Sequence, residues 1–314
     1  MDTLDPHQRP PGAIRDVYKR FQKLKPADVD SDTSIVDLER NGSAGDAQVK
    51  VIGELHSSRL NGIFRAFAGD DALEDLVDKP VPVYEHAAMA GLQITPSLLP
   101  PSIQTTLLSR LLHRDLSNPA HLTNIHTHYT LSYPPSSQSL FSHPPSHPTP
   151  LATPLDPTVH KPLPISQLLT KKLRWTTLGG QYDWTSKRYP SAPPPAFPPD
   201  IGALLEAIWP STRPEAAIVN LYSPGDTLSI HRDVSESSAR GLVSISLGCD
   251  AVFVIGNAGA GEEGIMALRL RSGSAVYMSG ESRFAWHGVP QIVAGTCPAY
   301  LREWPAGNVG WGAC

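Results

Sequence analysis

The stretch Leu228-Ser-Ile-His-Arg-Asp233 sets two ligand-type side chains, His231 and Asp233, two residues apart, and Ala285-Trp-His-Gly288 adds a second histidine, His287, 56 residues beyond His231. In an extended segment residues i and i+2 project from one face, so the imidazole of His231 and the carboxylate of Asp233 can reach a common point. His287 must then arrive on another strand. The sequence between supplies candidates. Gly241-Leu-Val-Ser-Ile-Ser-Leu-Gly248 alternates Val243, Ile245 and Leu247 with Ser244 and Ser246, the pattern of a half-buried strand. Ala251-Val-Phe-Val-Ile-Gly256 is a short apolar run, Met266, Leu268 and Leu270 alternate with Ala267, Arg269 and Arg271, and Ser274-Ala-Val-Tyr-Met278 follows a turn at Gly273. At least five strands at such short spacing predict an antiparallel sandwich or barrel.

Two imidazoles and one carboxylate can hold a single metal ion and leave coordination positions open. That donor set is the facial triad of non-haem Fe(II) oxygenases; zinc with a bound water is the competing metal. Taken alone, a His-x-Asp pair is equally two ordinary polar residues near a turn, because short motifs recur by chance.

The surrounding residues narrow the choice. Asn220-Leu-Tyr222, Ser223-Pro-Gly-Asp226, Leu228-Ser-Ile-His-Arg-Asp233, Val243-Ser-Ile-Ser-Leu-Gly248 and Gly280-Glu-Ser-Arg-Phe-Ala-Trp-His-Gly288 resemble, in order and spacing, the AlkB family of Fe(II)- and 2-oxoglutarate-dependent dioxygenases. The resemblance covers about residues 165–290 well. Upstream it is weaker and points to the eukaryotic branch containing the first animal AlkB homologue. It implies an α+β, mainly β chain folded as a double-stranded β-helix, a jelly roll of two sheets with the metal between them, carrying N-terminal helices and a Pro-rich insertion. It further implies Fe(II) on His231, Asp233 and His287, hydrogen bonds from Asn220 and Tyr222 to 2-oxoglutarate, and no catalytic group beyond the metal ligands. The implied reaction hydroxylates a methyl carbon on a base nitrogen, after which formaldehyde leaves. Read without the resemblance, Asn220 is a strand-edge cap and Tyr222 a core ring with a satisfied hydroxyl.

One departure stands out. The resemblance implies two arginines on a strand after the last histidine, there to neutralise the carboxylates of 2-oxoglutarate, yet Arg302 is the single arginine after His287. The catalytic core therefore reads as incomplete at its C-terminus.

Along the chain, 314 residues with 40% hydrophobic content suffice for a sizeable core, and a net charge of −4 gives no global attraction to nucleic acid, so such contact must rely on local patches. Cys249, Cys297 and Cys314 show neither metal spacing nor a disulfide framework, which fits a reducing intracellular compartment, the nucleus or cytoplasm with the mitochondrion as a further option. No apolar run approaches the roughly 18 residues that span a bilayer, so no membrane partner is expected, and the protein is expected to be a monomer.

Residues 1–83 read as an N-terminal extension with one amphipathic helix, marked by Ile14, Val17, Tyr18, Phe21 and Leu24, and an acidic loop from Ala27 to Val49. Residues 84–132 read as the start of the catalytic domain, with a helix capped by Ser102. Residues 133–164 hold ten prolines and read as a flexible insertion, and residues 165–314 as the dioxygenase core, with a helix capped by Asp200. Within that core Trp175, Tyr182, Asp183 and Trp184 are candidates for substrate contact, since the rings could stack on an extruded base and their spacing resembles the nucleotide-recognition lid of AlkB enzymes. They are equally candidates for hairpin core anchors.

Three readings follow. The resemblance implies an oxidative demethylase of bases in methylated tRNA or DNA, with DNA repair or tRNA modification as its setting. A second reading keeps the fold and nucleic-acid binding but handles 2-oxoglutarate poorly. A third is a cupin-like metalloenzyme of small molecules.

Overall fold

A computed structural model describes residues 4–40, 49–69, 75–136, 138–236, 238–257, 259, 261 and 264–302. Its strands in chain order are β1 (Ile35–Val36), β2 (Val49–Leu55), β3 (Val81–His86), β4 (Leu92–Thr95), β5 (Tyr129–Leu131), β6 (Ala152–Pro154), β7 (Trp175–Gly179), β8 (Ala216–Asn220), β9 (Leu228–His231), β10 (Leu242–Ile245), β11 (Ala251–Gly256), β12 (Ile265–Leu270), β13 (Ala275–Met278) and β14 (Trp286–Ile292). The chain divides into two compact units, one of residues 1–104, 204–212 and 224–298, the other of 105–203, 213–223 and 299–314.

The first unit holds the two sheets of the jelly roll, ordered β1-β12-β11-β14-β9 and β10-β13-β4-β3-β2. Apart from β1, which runs parallel to β12, neighbouring strands are antiparallel. β11 and β13 are buried along their whole length, as expected of strands covered on both faces. For β11 one cover is the helix α1 (Gly12–Lys23), whose Ile14 and Phe21 cluster with Val252, Val254, Ala267, Trp286 and the partly buried Ile230. Because strand side chains alternate, the residues between these, Phe253 on β11, His287 after Trp286 and His231 after Ile230, belong to the opposite face.

The residues expected as an N-terminal extension thus lie in the same compact unit as these strands. β1 adds an edge to the sheet that carries His231 and His287 and is tied there by charge: Asp37, directly after it, accepts hydrogen bonds from Arg271, one of them at 2.7 Å from Nη2, while Arg269 Nη2 lies 2.8 Å from Asp250 Oδ2. β2 adds an edge to the other sheet.

Two expected caps are corrected. The helix after Pro100 starts at Pro101, and Ser102 lies inside it with its N–H donating to Asp75 Oδ2 at 3.2 Å. The helix Pro199–Ile208 likewise starts one residue before Asp200, whose carboxylate is gripped by Arg110 at 2.8 Å and Arg114 at 2.6 Å.

The second unit contains two-stranded pairs, β5 with β6 and β7 with β8. The Pro-rich stretch supplies β6 and buries Leu140, Leu151 and Leu163. Such an edge pairing tolerates the missing N–H groups of proline, which a central strand would not. Arg302 follows a short turn over Ala299–Leu301. The residues beyond it, on which the expected C-terminal departure turns, lie outside the described residues.

Candidate metal centre

β9 and β14 run antiparallel with His231 and His287 as direct partners. Directly opposed residues carry Cβ atoms only about 5 Å apart, and here the imidazole centroids lie 4.4 Å apart. Close approach of the strands requires Gly288: a Cβ there would stand 2.8 Å from Leu228 O and 3.0 Å from Ile230 N, both main-chain atoms of β9. Asp233, two residues beyond His231, brings Oδ1 to 3.7 Å from His231 Nε2 and Oδ2 to 3.4 Å from His287 Nε2. Ligand atoms of the three residues lie within 4.8 Å of one another, the one such group of three among the described residues.

Tautomer and charge suit a cation. His231 Nδ1 donates to Ser229 O at 2.8 Å and His287 Nδ1 to Ala285 O at 3.1 Å. With the proton fixed on Nδ1, each Nε2 keeps its lone pair for the shared space, the way metal-binding histidines are oriented by their other nitrogen. Burial and then the neighbouring His287 push the His231 pKa down, favouring the neutral ligand form. Burial opposes charge at His287 too, but the Asp233 carboxylate outweighs it and raises that pKa. Burial likewise opposes the Asp233 anion, which the hydrogen bond and charge of His287 nonetheless hold well below the usual carboxylate range. A shared positive charge is thus favoured between His287 and Asp233, and a metal ion supplies it without a proton. His287 is buried while His231 and Asp233 are each about one-third exposed, at 34% and 33%, so the group is walled on one side and open on the other. The donor set therefore fits a divalent ion with free coordination positions, as Fe(II) in an oxygenase requires.

The other sequence-derived candidates lie in the second unit. Asn220 ends β8 opposite Trp175 on β7, and Tyr222 follows two residues later, both half-buried. Trp175 and Trp184 approach to 5.4 Å between centroids, Tyr182 meets Trp184 edge-on at 4.9 Å, and Tyr189 stands 5.3 Å from Tyr182. Trp184 is 41% exposed. Asp183 shapes this cluster. Its Oδ2 accepts from Ser186 Oγ at 2.6 Å, and its Oδ1 accepts from the Thr185 and Ser186 N–H groups at 2.8 and 3.3 Å. Those bonds, the Ser186 hydroxyl first, lower its pKa and close a tight loop, Asp183 and Arg188 exchanging main-chain hydrogen bonds.

Sequence reasoning gave Gly288, Tyr189 and Arg283 no role. For Gly288 the available signal was a glycine directly after a candidate ligand. A buried arginine leaves no such mark.

The profile of the 2OG-Fe(II) oxygenase superfamily matches residues 126–304, a span containing all three candidate ligands. The N6-methyladenosine RNA demethylase ALKB1 of Pyricularia oryzae is 44% identical over 98% of this chain and 92% of its own length. The N6-methyladenosine RNA demethylase ALKBH of Cryphonectria parasitica is 50% identical over 58% of this chain and 88% of its own. The tRNA demethylase abh1 of Schizosaccharomyces pombe is 38% identical over 76% of this chain and 79% of its own. By the profile, and by a relative matched along nearly its whole length, the chain belongs to the AlkB family of the 2OG-Fe(II) oxygenase superfamily, a dioxygenase that uses Fe(II) and 2-oxoglutarate.

Proposed function

We propose that this dioxygenase oxidatively demethylates N-methylated adenine in RNA, with His231, Asp233 and His287 as the iron ligands and Asn220 and Tyr222 as partners of 2-oxoglutarate. The observation that carries the reading is the convergence of two lone-pair-bearing Nε2 atoms and one carboxylate on a partly open space. Iron held by His231, Asp233 and His287 would, with 2-oxoglutarate and oxygen, supply the oxidising power for hydroxylation of a methyl C–H bond, one oxygen atom going to the methyl carbon and the other to succinate as carbon dioxide leaves. The resulting N-hydroxymethyl group loses formaldehyde and returns the amine. What the chain itself does is hold its ligands in place, wall one side of the centre and position the methyl carbon.

The relatives and the aromatic cluster support this substrate class. Trp175, Tyr182 and Trp184 offer the ring faces on which an unstacked base rests. Arg174 and Arg188 lie in the segments that meet through the Trp175–Trp184 contact, both exposed, where cations favour a phosphate backbone. Such a local patch reconciles nucleic-acid binding with the net charge of −4. Asp183, exposed beside these rings, shapes the loop and is a further candidate for base contact. The free thiol of Cys249 agrees with a reducing intracellular compartment, where we expect a monomer.

Formaldehyde and succinate release, measured in parallel on N6-methyladenosine RNA, methylated tRNA and N6-methyladenine DNA, tests the proposal. Turnover should be fastest on one of the RNAs; release on none of the three, from iron-loaded protein that binds 2-oxoglutarate, would refute it. Tyr182→Ala should weaken RNA binding about tenfold, the equivalent of about 1.4 kcal/mol of stacking, with the melting temperature unchanged. An equal loss of both would make Tyr182 a core ring.

A further inference from the structure

We infer that Arg283 is a positioning residue for the metal centre, clamping the main chain that carries Asp233 to the segment that carries His287; this rests on the triad reading above. Arg283 lies on the short turn Gly280–Phe284, four residues before His287. It is 2% exposed and heads the fully buried side chains by volume among the described residues. Its guanidinium meets one carboxylate, Glu236 Oε2, at 3.3 Å, and otherwise addresses main-chain oxygens. Nε donates to Arg240 O at 2.7 Å, Nη1 to Asp233 O at 2.7 Å and Nη2 to Ser238 O at 3.5 Å. The Phe284 ring lies 4.9 Å from Cζ.

Packing alone does not account for this side chain. A buried cation carries a desolvation cost that an apolar residue of similar volume avoids. What only arginine supplies is a planar set of donors that meets several acceptors at once. Between β9 and β10 the described residues form no strand or helix ladder, so the carbonyls of 233, 238 and 240 must find donors elsewhere. One of those carbonyls belongs to a candidate ligand. Holding Asp233 O at 2.7 Å fixes the main chain from which its carboxylate projects. The turn that carries the clamp is itself fixed: Ser279 N–H donates to Ser282 Oγ at 3.0 Å, and Ser279 Oγ to Gly91 O at 3.1 Å. Arg283 therefore sets the geometry of the acid before any metal arrives, and contacts of this kind typically change metal affinity about 10–100-fold.

Metal-free protein titrated anaerobically with Co(II), followed by visible absorption, with urea unfolding of the same samples, tests the clamp without turnover. Arg283→Lys keeps the charge but cannot span three carbonyls, so it should bind Co(II) about 10–100-fold more weakly with an altered spectrum. Glu236→Gln keeps every carbonyl contact and removes one partly exposed ion pair, so its affinity should stay within about threefold of wild type. Folded Arg283→Lys with wild-type affinity and spectrum would overturn the inference, and so would equal losses in the two variants, which would assign the effect to the ion pair. Should Arg283→Lys fail to fold, Ser279→Ala, which loosens the turn that carries the clamp and leaves the guanidinium and the ligands in place, takes its place: Co(II) bound about tenfold more weakly by the folded variant supports the clamp, and wild-type affinity overturns it. His231→Ala is the separate control, since Co(II) bound undiminished by that variant would refute the triad reading itself.

Discussion

Replacing Gly288 by alanine forces a methyl group between the two histidine-bearing strands while leaving every candidate ligand in place. The added carbon would stand 2.8 Å from Leu228 O, 3.0 Å from Ile230 N and 3.1 Å from Ser229 C. All three are main-chain atoms of β9, so no side-chain rotation relieves the overlap. Ordinary contact starts at 3.4 Å, and against the 2.8 Å approach the shortfall is about 0.6 Å. Metal–ligand distances tolerate only about 0.2 Å, so a recession of β9 of that size exceeds the tolerance about threefold just where His231 and His287 are partners. Overpacking of this kind costs about 1–3 kcal/mol, and in a chain of this length each kcal/mol lowers the melting temperature by roughly 2–4 °C. Gly288→Ala should thus melt a few degrees early by scanning calorimetry and bind Co(II) at least about tenfold more weakly in anaerobic titration. Unchanged stability and affinity would show that the strands do not approach as closely as described. Lost stability with intact affinity would show that their spacing does not set the ligand geometry.

Phe21→Ala, which empties a buried site against the metal-bearing sheet, should cost about 3–5 kcal/mol in urea unfolding; a loss below about 1 kcal/mol would make α1 a dispensable appendage. Acid should destabilise the metal-free protein before any carboxylate titrates in the unfolded chain. Burial lowers the pKa values of His86, His113 and His126, so below about pH 6.5 the unfolded chain binds protons that the folded one refuses. The raised pKa of His287 works in the opposite sense. His143 and His231 are lowered as well, so with five histidines against one, stability should fall from pH 7 to pH 5.5 by on the order of one to a few kcal/mol per pH unit, and a flat or rising urea midpoint would contradict the assignment. Tyr277→Phe removes the hydroxyl that meets Ser211 Oγ at 2.9 Å and should cost about 1 kcal/mol in the same assay.

How legible these features are depends on how local their causes are. β10 to β13 declare themselves because period-two alternation and apolar runs follow from burial of one or both faces, and α1 because Ile14, Tyr18 and Phe21 recur at helical spacing. The two residues of β1 are too few to carry any periodicity, and their place is decided by Arg271 binding Asp37, 234 positions apart. Ser102 and Asp200 read as caps by residue type, yet Asp75 in one case and Arg110 with Arg114 in the other are tertiary partners that local sequence does not announce. At the candidate centre, the i and i+2 rule brings His231 and Asp233 together and leaves His287 to an unnamed strand. Its direct pairing with His231 depends on a register that only the folded sheet defines. The roles proposed for Asn220 and Tyr222 rest on the family resemblance, since the residue types alone leave them open.

Iron stoichiometry under anaerobic reconstitution tests the central claim most directly, because it asks only whether His231, Asp233 and His287 share one ion. Wild-type protein should bind one Fe(II) per chain, and alanine at any one of the three should abolish stoichiometric binding while the urea midpoint stays near that of metal-free wild type. Full iron occupancy in the His231→Ala or His287→Ala variant would contradict the account.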